Sequence, residues 1–324
     1  MEGNNSLKNG VFYRLMKTKE SNIFLGLFGL CLVLGIFTDT FLSSYNIGVV
    51  IRQVSFIALV ALGQTLVLLT GGIDLSVGSI AGLSGILVSL FMSSDFFGMA
   101  AIIAVPLAMV CGLLMGLVNG LLIGKLRLNA FIVTLAFGEV WGGMILVITK
   151  GYPILKLPEG FTYLGQGMIG KIPMPVIIML IIFAFMHYVL TKTPFGRNIY
   201  ATGGNLTAST LAGIKVDKEI SSVYMLSGLF SSIAGILMTS RMGAGQPTIG
   251  SSWVMPSVTA AIIGGTSMAG GEGTLIGTLI GAVFMGIISN GIVLLGISSY
   301  WERVITGLVV ILAILLDFFR AKKK

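Results

Sequence analysis

Charge is what this chain lacks most. Asp, Glu, Lys and Arg make up 10% of its 324 residues, against about a quarter in soluble domains. With 55% of residues hydrophobic and a mean hydropathy of +1.00, there is too little polar surface to wrap a water-soluble body of this size, and a soluble enzyme or binding domain is excluded. Histidine is represented once, by His187, and the 12 acidic residues are scattered. A membrane-embedded metal or acid–base enzyme would need these residue types clustered, so that class is excluded too. The two cysteines, Cys31 and Cys111, each sit inside an apolar run and read as isolated thiols rather than a disulfide or metal pair. His187, near the end of an apolar run, reads as structural or interfacial. Proline is scarce at 8 residues, and no small-x-small cleavage pattern follows Phe37, so the first apolar run reads as an uncleaved span. A phosphate-binding loop is missing as well. The Gly-Lys pairs Gly124-Lys125 and Gly170-Lys171 are followed by Leu126 and Ile172, where the loop demands Ser or Thr. No cofactor is therefore expected in this chain.

What is present is a series of apolar runs, at about 23–37, 50–70, 77–92, 99–124, 130–149, 175–190, 220–239, 253–267, 274–295 and 303–319. They imply an all-α integral membrane protein with about ten transmembrane helices. Residues 1–22 form an N-terminal segment, 23–319 a single transmembrane domain and 320–324 a basic tail. The net charge of +8 follows topology rather than nucleic acid. With the N-terminus inside and the spans alternating, the inner segments hold Lys8, Arg14, Lys17, Lys19, Lys125, Arg127, Lys192, Arg197, Lys215, Lys218, Arg320 and Lys322 to Lys324. Most of the 20 basic residues thus lie inside, which puts both termini in the cytoplasm of a bacterial inner membrane.

Gly63–Ser79 can be laid on Gly235–Ser251 at an offset of 172, matching Gly63, Gly71, Gly78 and Ser79 identically; Asn119-Gly120 matches Asn290-Gly291 at nearly the same offset. Glycines four apart, at 112, 116, 120 and 124 and at 273, 277 and 281, place a bare face on one side of a helix, where backbones can approach closely. Two repeat halves, about 47–149 and 220–319, begin five spans apart. Because five is odd, the halves have inverted topology, a transporter plan with its path at the repeat interface. Polar residues near that interface, Gln64, Asp74, Ser76, Asn119, Thr248 and Asn290, are the candidate path-lining groups. Glu139 is the only acidic residue well inside an apolar run, thin equipment for ion coupling. A secondary carrier using Glu139 is the alternative reading.

The inner loop 191–219 contains a short helical pattern. Asn205 is suited to cap it, Ala208, Leu211 and Ala212 share a face, and Gly213 can end it. Such a helix has an apolar face to bury against another subunit.

The motifs GGIDLSVGS (71–79), NAFIVTL (129–135), FGRNIYATGGN…AGI (195–214), QPTIGS (246–251) and GGTSMAGGEGTLIGTLIGA (264–282) carry a resemblance. The chain resembles the permease subunits of ribose-type monosaccharide ATP-binding cassette importers, relatives in fold of vitamin B12-type importer permeases. The resemblance implies alternating access, a second permease copy or related chain, ATP-binding subunits that hold ATP and magnesium, and a periplasmic or lipid-anchored sugar-binding protein. It also implies that Gly203, Gly204, Asn205, Ala208, Gly213 and Ile214 belong to the segment that couples to the ATPase, and the helical pattern adds Leu211 to them. Gln64 stands where the family often has Met, and Glu272 where it often has a basic residue.

Overall fold

A computed structural model describes residues 19–298 and 300–321; most of the N-terminal segment 1–22 and the end of the basic tail 320–324 lie outside the described residues. Among the described residues the chain is all-α apart from one short hairpin. In order come α1 (Lys19–Phe37), α2 (Ser44–Leu69), α3 (Val77–Met92), α4 (Ala101–Gly124) and α5 (Ala130–Thr149). A 3-10 turn (Glu159–Thr162), α6 (Tyr163–Gln166) and the hairpin strands β1 (Met168–Ile169) and β2 (Ile172–Pro173) follow. Then come α7 (Met174–Lys192), α8 (Pro194–Gly204), α9 (Leu206–Leu211), α10 (Val216–Met242), α11 (Val254–Ile263), α12 (Leu275–Leu294) and α13 (Tyr300–Ala321).

Each predicted apolar run contains or overlaps one of these helices. By length and composition α2, α4, α5, α7, α10 and α12 can cross a membrane, while α3, α11 and the apolar stretch Leu25–Phe37 of α1 are shorter. At 1.5 Å per residue, the ten residues of α11 reach only about half of a ~30 Å hydrocarbon layer. The helix ends follow local chemistry. Ser43 and Asn129 accept hydrogen bonds from the first free N–H groups of α2 and α5, and Gly243, in the left-handed region at φ 65°, ends α10.

The tightest packing joins α4 to α10. The glycine stripe of α4 lies against this neighbour, Gly112 on Ser232, Gly116 on Gly228 and Gly120 on Ser221. At Gly120 a side chain would have met the Cα of Ser221 at 2.8 Å. Hydroxyls bridge the same seam, Ser221 Oγ donating to Gly120 O and Ser232 Oγ to Ala108 O. With no hydrophobic effect to drive helices together in lipid, close backbone approach and such bonds hold the seam. The second stripe sits against α11, Gly277 on Gly264 and Gly281 on Ala260.

Helix positions recur along the chain. α2 begins at 44 and α10 at 216; α5 begins at 130 and α13 at 300. The packing recurs with them: α10 lies on α4 and α3, and α2 lies on α12 and α11; α3 packs on α5, and α11 on α13.

Candidate functional site

The helices bring together one end of the bundle around α8 and α9. Sequence reading anticipated only the second of these; Thr193, whose hydroxyl accepts from Gly196 N, starts an additional helix with Pro194 in its first turn. Asn205 caps α9 as anticipated, its carbonyl accepting from Ala208 N at 2.8 Å. Gly213 adopts φ +83° just beyond the end of α9. Of α9 itself only Ser209 is buried; Ala208 and Leu211 are exposed, Leu211 to 84%. Ile214, in contrast, is half-buried against the core. Gly203 is wedged between the carbonyl of Leu69 at the end of α2 and Gly271 N, and a Cβ there would overlap both, while Gly204 faces open space. Tyr200 donates to Gly273 O at 2.8 Å, and Asn198 to Glu219 at 2.8 Å. Burial pushes the Tyr200 hydroxyl pKa up, which keeps it a donor. α8 is therefore pinned to the end of α2, the start of α10 and the 264–274 break, and α9 follows it with its apolar side chains left outside.

Four of the candidate path residues form one buried cluster. Asp74 accepts from Ser76 N, Ser76 Oγ and Ser227 Oγ at 3.0, 2.6 and 2.9 Å. Asn119 donates to Ser76 Oγ at 2.8 Å. The Gln64 amide, oriented to satisfy both ends, donates to Asp74 O and accepts from Asp74 N. The break that carries Asp74 and Ser76 is thus tied to three spans, to α2 through Gln64 on the Asp74 backbone, to α4 through Asn119 on Ser76 and to α10 through Ser227 on the carboxylate. Asn290 lies elsewhere, exchanging two amide bonds with Asn46 at 3.0 and 2.8 Å. Thr248 is exposed in the segment before α11. Glu139 is also exposed, on the outer face of α5.

At the opposite end of the bundle from α9 lies a cavity of about 1200 Å³. Its walls come from the start of α2, the end of α10, the start of α11, the later half of α12 and the first half of α13. None of the six candidate path residues lines it. On one wall Gln53 donates to Ser289 Oγ at 3.4 Å, and Ser289 donates to the Glu302 carboxylate at 2.5 Å. On another the Arg241 guanidinium lies 5.7 Å over the Phe56 ring, which stacks on Trp253 at a centroid distance of 6.4 Å. Towards the α9 end the Thr65 and Thr278 hydroxyls lie 2.7 Å apart between α2 and α12. The sequence signal for these walls was present but spread out. Gln53, Ser289 and the adjacent pair Glu302-Arg303 sit within or beside apolar runs in three different places, and nothing local says that they meet.

The sequence profile of the family described as branched-chain amino acid transport system permease component matches residues 46–314. The ribose import permease protein of Bacillus subtilis (strain 168) is 44% identical over 296 residues, 91% of either chain. The ribose import permease protein of Escherichia coli (strain K12) is 38% identical over 302 residues, 92% of this chain and 93% of its own. An L-arabinose ABC transporter permease protein of Azospirillum brasilense is 32% identical over 317 residues, 98% of this chain and 92% of its own. No solved structure matches the chain.

Proposed function

The chain belongs to the permease-component family of branched-chain amino acid transport systems, and from its sugar-permease relatives we infer that this multi-pass inner-membrane subunit of an ATP-driven sugar importer moves ribose or a closely similar monosaccharide. The class follows from the family and from the sugar permeases it resembles across nearly the whole chain. The choice of ribose rests on the higher identity to the two ribose permeases than to the arabinose one.

The observation that carries the mechanism is the exposed apolar face of α9, displayed at the end of the bundle opposite the cavity. A separate ATP-binding subunit, holding ATP and magnesium at its own site, docks there; a sugar-binding protein delivers solute to the cavity end. Gly203, Gly204, Asn205, Ala208, Leu211, Gly213 and Ile214 form the coupling segment, with Leu211 as its contact and Gly203 as its anchor. The cavity at the delivering end and the Thr65–Thr278 contact between α2 and α12 beyond it support a path open towards the delivering protein in this conformation. ATP-driven movement of α9 reverses the two, and the motor must bind one state better than the other to do so.

The recurrence of helix starts and packing supports ten spans in two inverted halves, with α1 and α7 outside the repeat. Both termini then lie in the cytoplasm, as does α9. An exposed carboxylate on α5 is costly against lipid, so the face carrying Glu139 supports a second permease copy that covers it. Asp74 and its partners hold the halves together and shape the break beside α3.

Labelling a Leu211→Cys permease with a membrane-impermeant thiol reagent tests the orientation. Modification from the cytosolic side alone is expected, and modification only from the outside removes the proposed motor. Proteoliposomes holding the permease, its ATPase and its binding protein are expected to take up ribose with ATP, and the permease alone with an ion gradient is not.

A further inference from the structure

We propose that the cavity between α2, α10, α11, α12 and α13 is a transit site for a neutral polyol, in which Glu302 and Arg241 supply the acceptor and the donors that a sugar's hydroxyls require. The inference rests on the sugar-importer reading and adds to it the residues that meet the solute.

The two walls offer opposite hydrogen-bonding capacity. Glu302 takes one bond at Oε1 from Ser289, which is itself held by Gln53. Among the described residues no other group donates to the Glu302 carboxylate, and Glu302 lines the cavity, so its second oxygen is available to a solute there. The Arg241 guanidinium rests on the face of Phe56, and among the described residues its N–H groups meet no acceptor side chain. A carboxylate accepts and a guanidinium donates; a hydroxyl does both, and each hydroxyl of a pentose can satisfy either wall. The aromatic pair Phe56 and Trp253 forms a stiff floor that keeps the guanidinium in place. The amide–hydroxyl–carboxylate chain fixes the opposing oxygen, since each member constrains the next.

Size sets the affinity. A cavity of about 1200 Å³ exceeds the usual range for a fully enveloped small ligand. A single monosaccharide held at either wall leaves the rest to water. Such a site binds weakly, which suits passage: a solute must be held well enough to enter and loosely enough to leave, as in other pores. A mixed charge set of one carboxylate and the arginines Arg241 and Arg303 also gives no net attraction to a cation.

Two measurements on the assembled importer, with ATPase and binding protein present, decide the matter. First, Glu302→Gln replaces an acceptor-only group by one that also donates. Ribose uptake is expected to fall about tenfold, the size of one lost charge-assisted hydrogen bond, while Glu302→Asp restores part of it and the ATPase co-purifies with the variant as with wild type. Second, Thr306→Cys, in a background with Cys31 and Cys111 replaced by serine, places a thiol on the cavity wall. Millimolar ribose is expected to slow its modification several-fold, and leucine is not. Uptake by Glu302→Gln within about twofold of wild type, smaller than one such bond, or labelling indifferent to ribose overturns the proposal. Slowing by leucine instead of ribose overturns the polyol assignment. A wild-type assembly that hydrolyses ATP but takes up no ribose counts against the function, and the labelling then still decides the site.

Discussion

Gly78 and Gly250 touch backbone to backbone, and each is the other's counterpart at the offset of 172. A residue can meet its own repeat partner only where the two halves face each other across a shared axis, so this contact marks the centre of the bundle. A Cβ on either glycine would overlap the other's carbonyl, and Gly250 also holds φ +82°. Gly250→Ala is expected to lower stability by about 1–3 kcal/mol through strain and overpacking. Gly78→Ala should cost a similar amount by overpacking alone. Thermal unfolding in detergent measures both.

Leu211 separates coupling from folding. Its side chain is 84% exposed, so Leu211→Asp should change stability by less than about 0.5 kcal/mol. If α9 is the ATPase contact, the same change should cut ATP-dependent sugar uptake about tenfold or more. Uptake assays alongside a melting curve separate the two effects.

Neighbouring glycines make an internal control. Gly203 is jammed against Leu69 and Gly271 whereas Gly204 has open space. Gly203→Ala is expected to destabilise the permease by about 1–3 kcal/mol, and Gly204→Ala to stay within about 0.5 kcal/mol. Equal effects in melting experiments would contradict the wedge.

The Asn46–Asn290 pair joins α2 to α12 by two reciprocal amide bonds. Asn290→Leu strands the Asn46 carbonyl in a buried site and should cost about 1–3 kcal/mol. Replacing both by Leu removes the stranded group, and the double variant is expected to regain stability relative to the single one. A double-mutant cycle reads this directly.

How much of this was written in the sequence depends on the range of the interaction. Apolar runs declare helices locally, so each expected span has its helix, and the Asn205 cap and the buried glycine stripe of α4 were legible from spacing alone. α8 was not foreseen, because Gly196, Gly203 and Gly204 in an 11-residue stretch argue against a helix that tertiary contacts nevertheless hold. The elements between 159 and 173 were hidden by their shortness and prolines. The gathering of Gln64, Asp74, Ser76 and Asn119 was visible as shared polarity near a repeat, but their mutual hydrogen bonding was not. The cavity was the least legible part. Arg241 and Glu302 are 61 residues apart and look like ordinary interfacial charges until the helix ends converge.

α2 has its last carbonyl against Gly203 and carries Gln53 at the cavity wall. Sixteen residue-to-residue steps of uninterrupted helix from Gln53 to Leu69 make a pushrod roughly 24 Å long. A shove received at its lower tip has nowhere to dissipate, because a hydrogen-bonded helix does not shorten. If an ATPase docks at α9, its stroke would thereby be felt at the mouth without any change in the chemistry between.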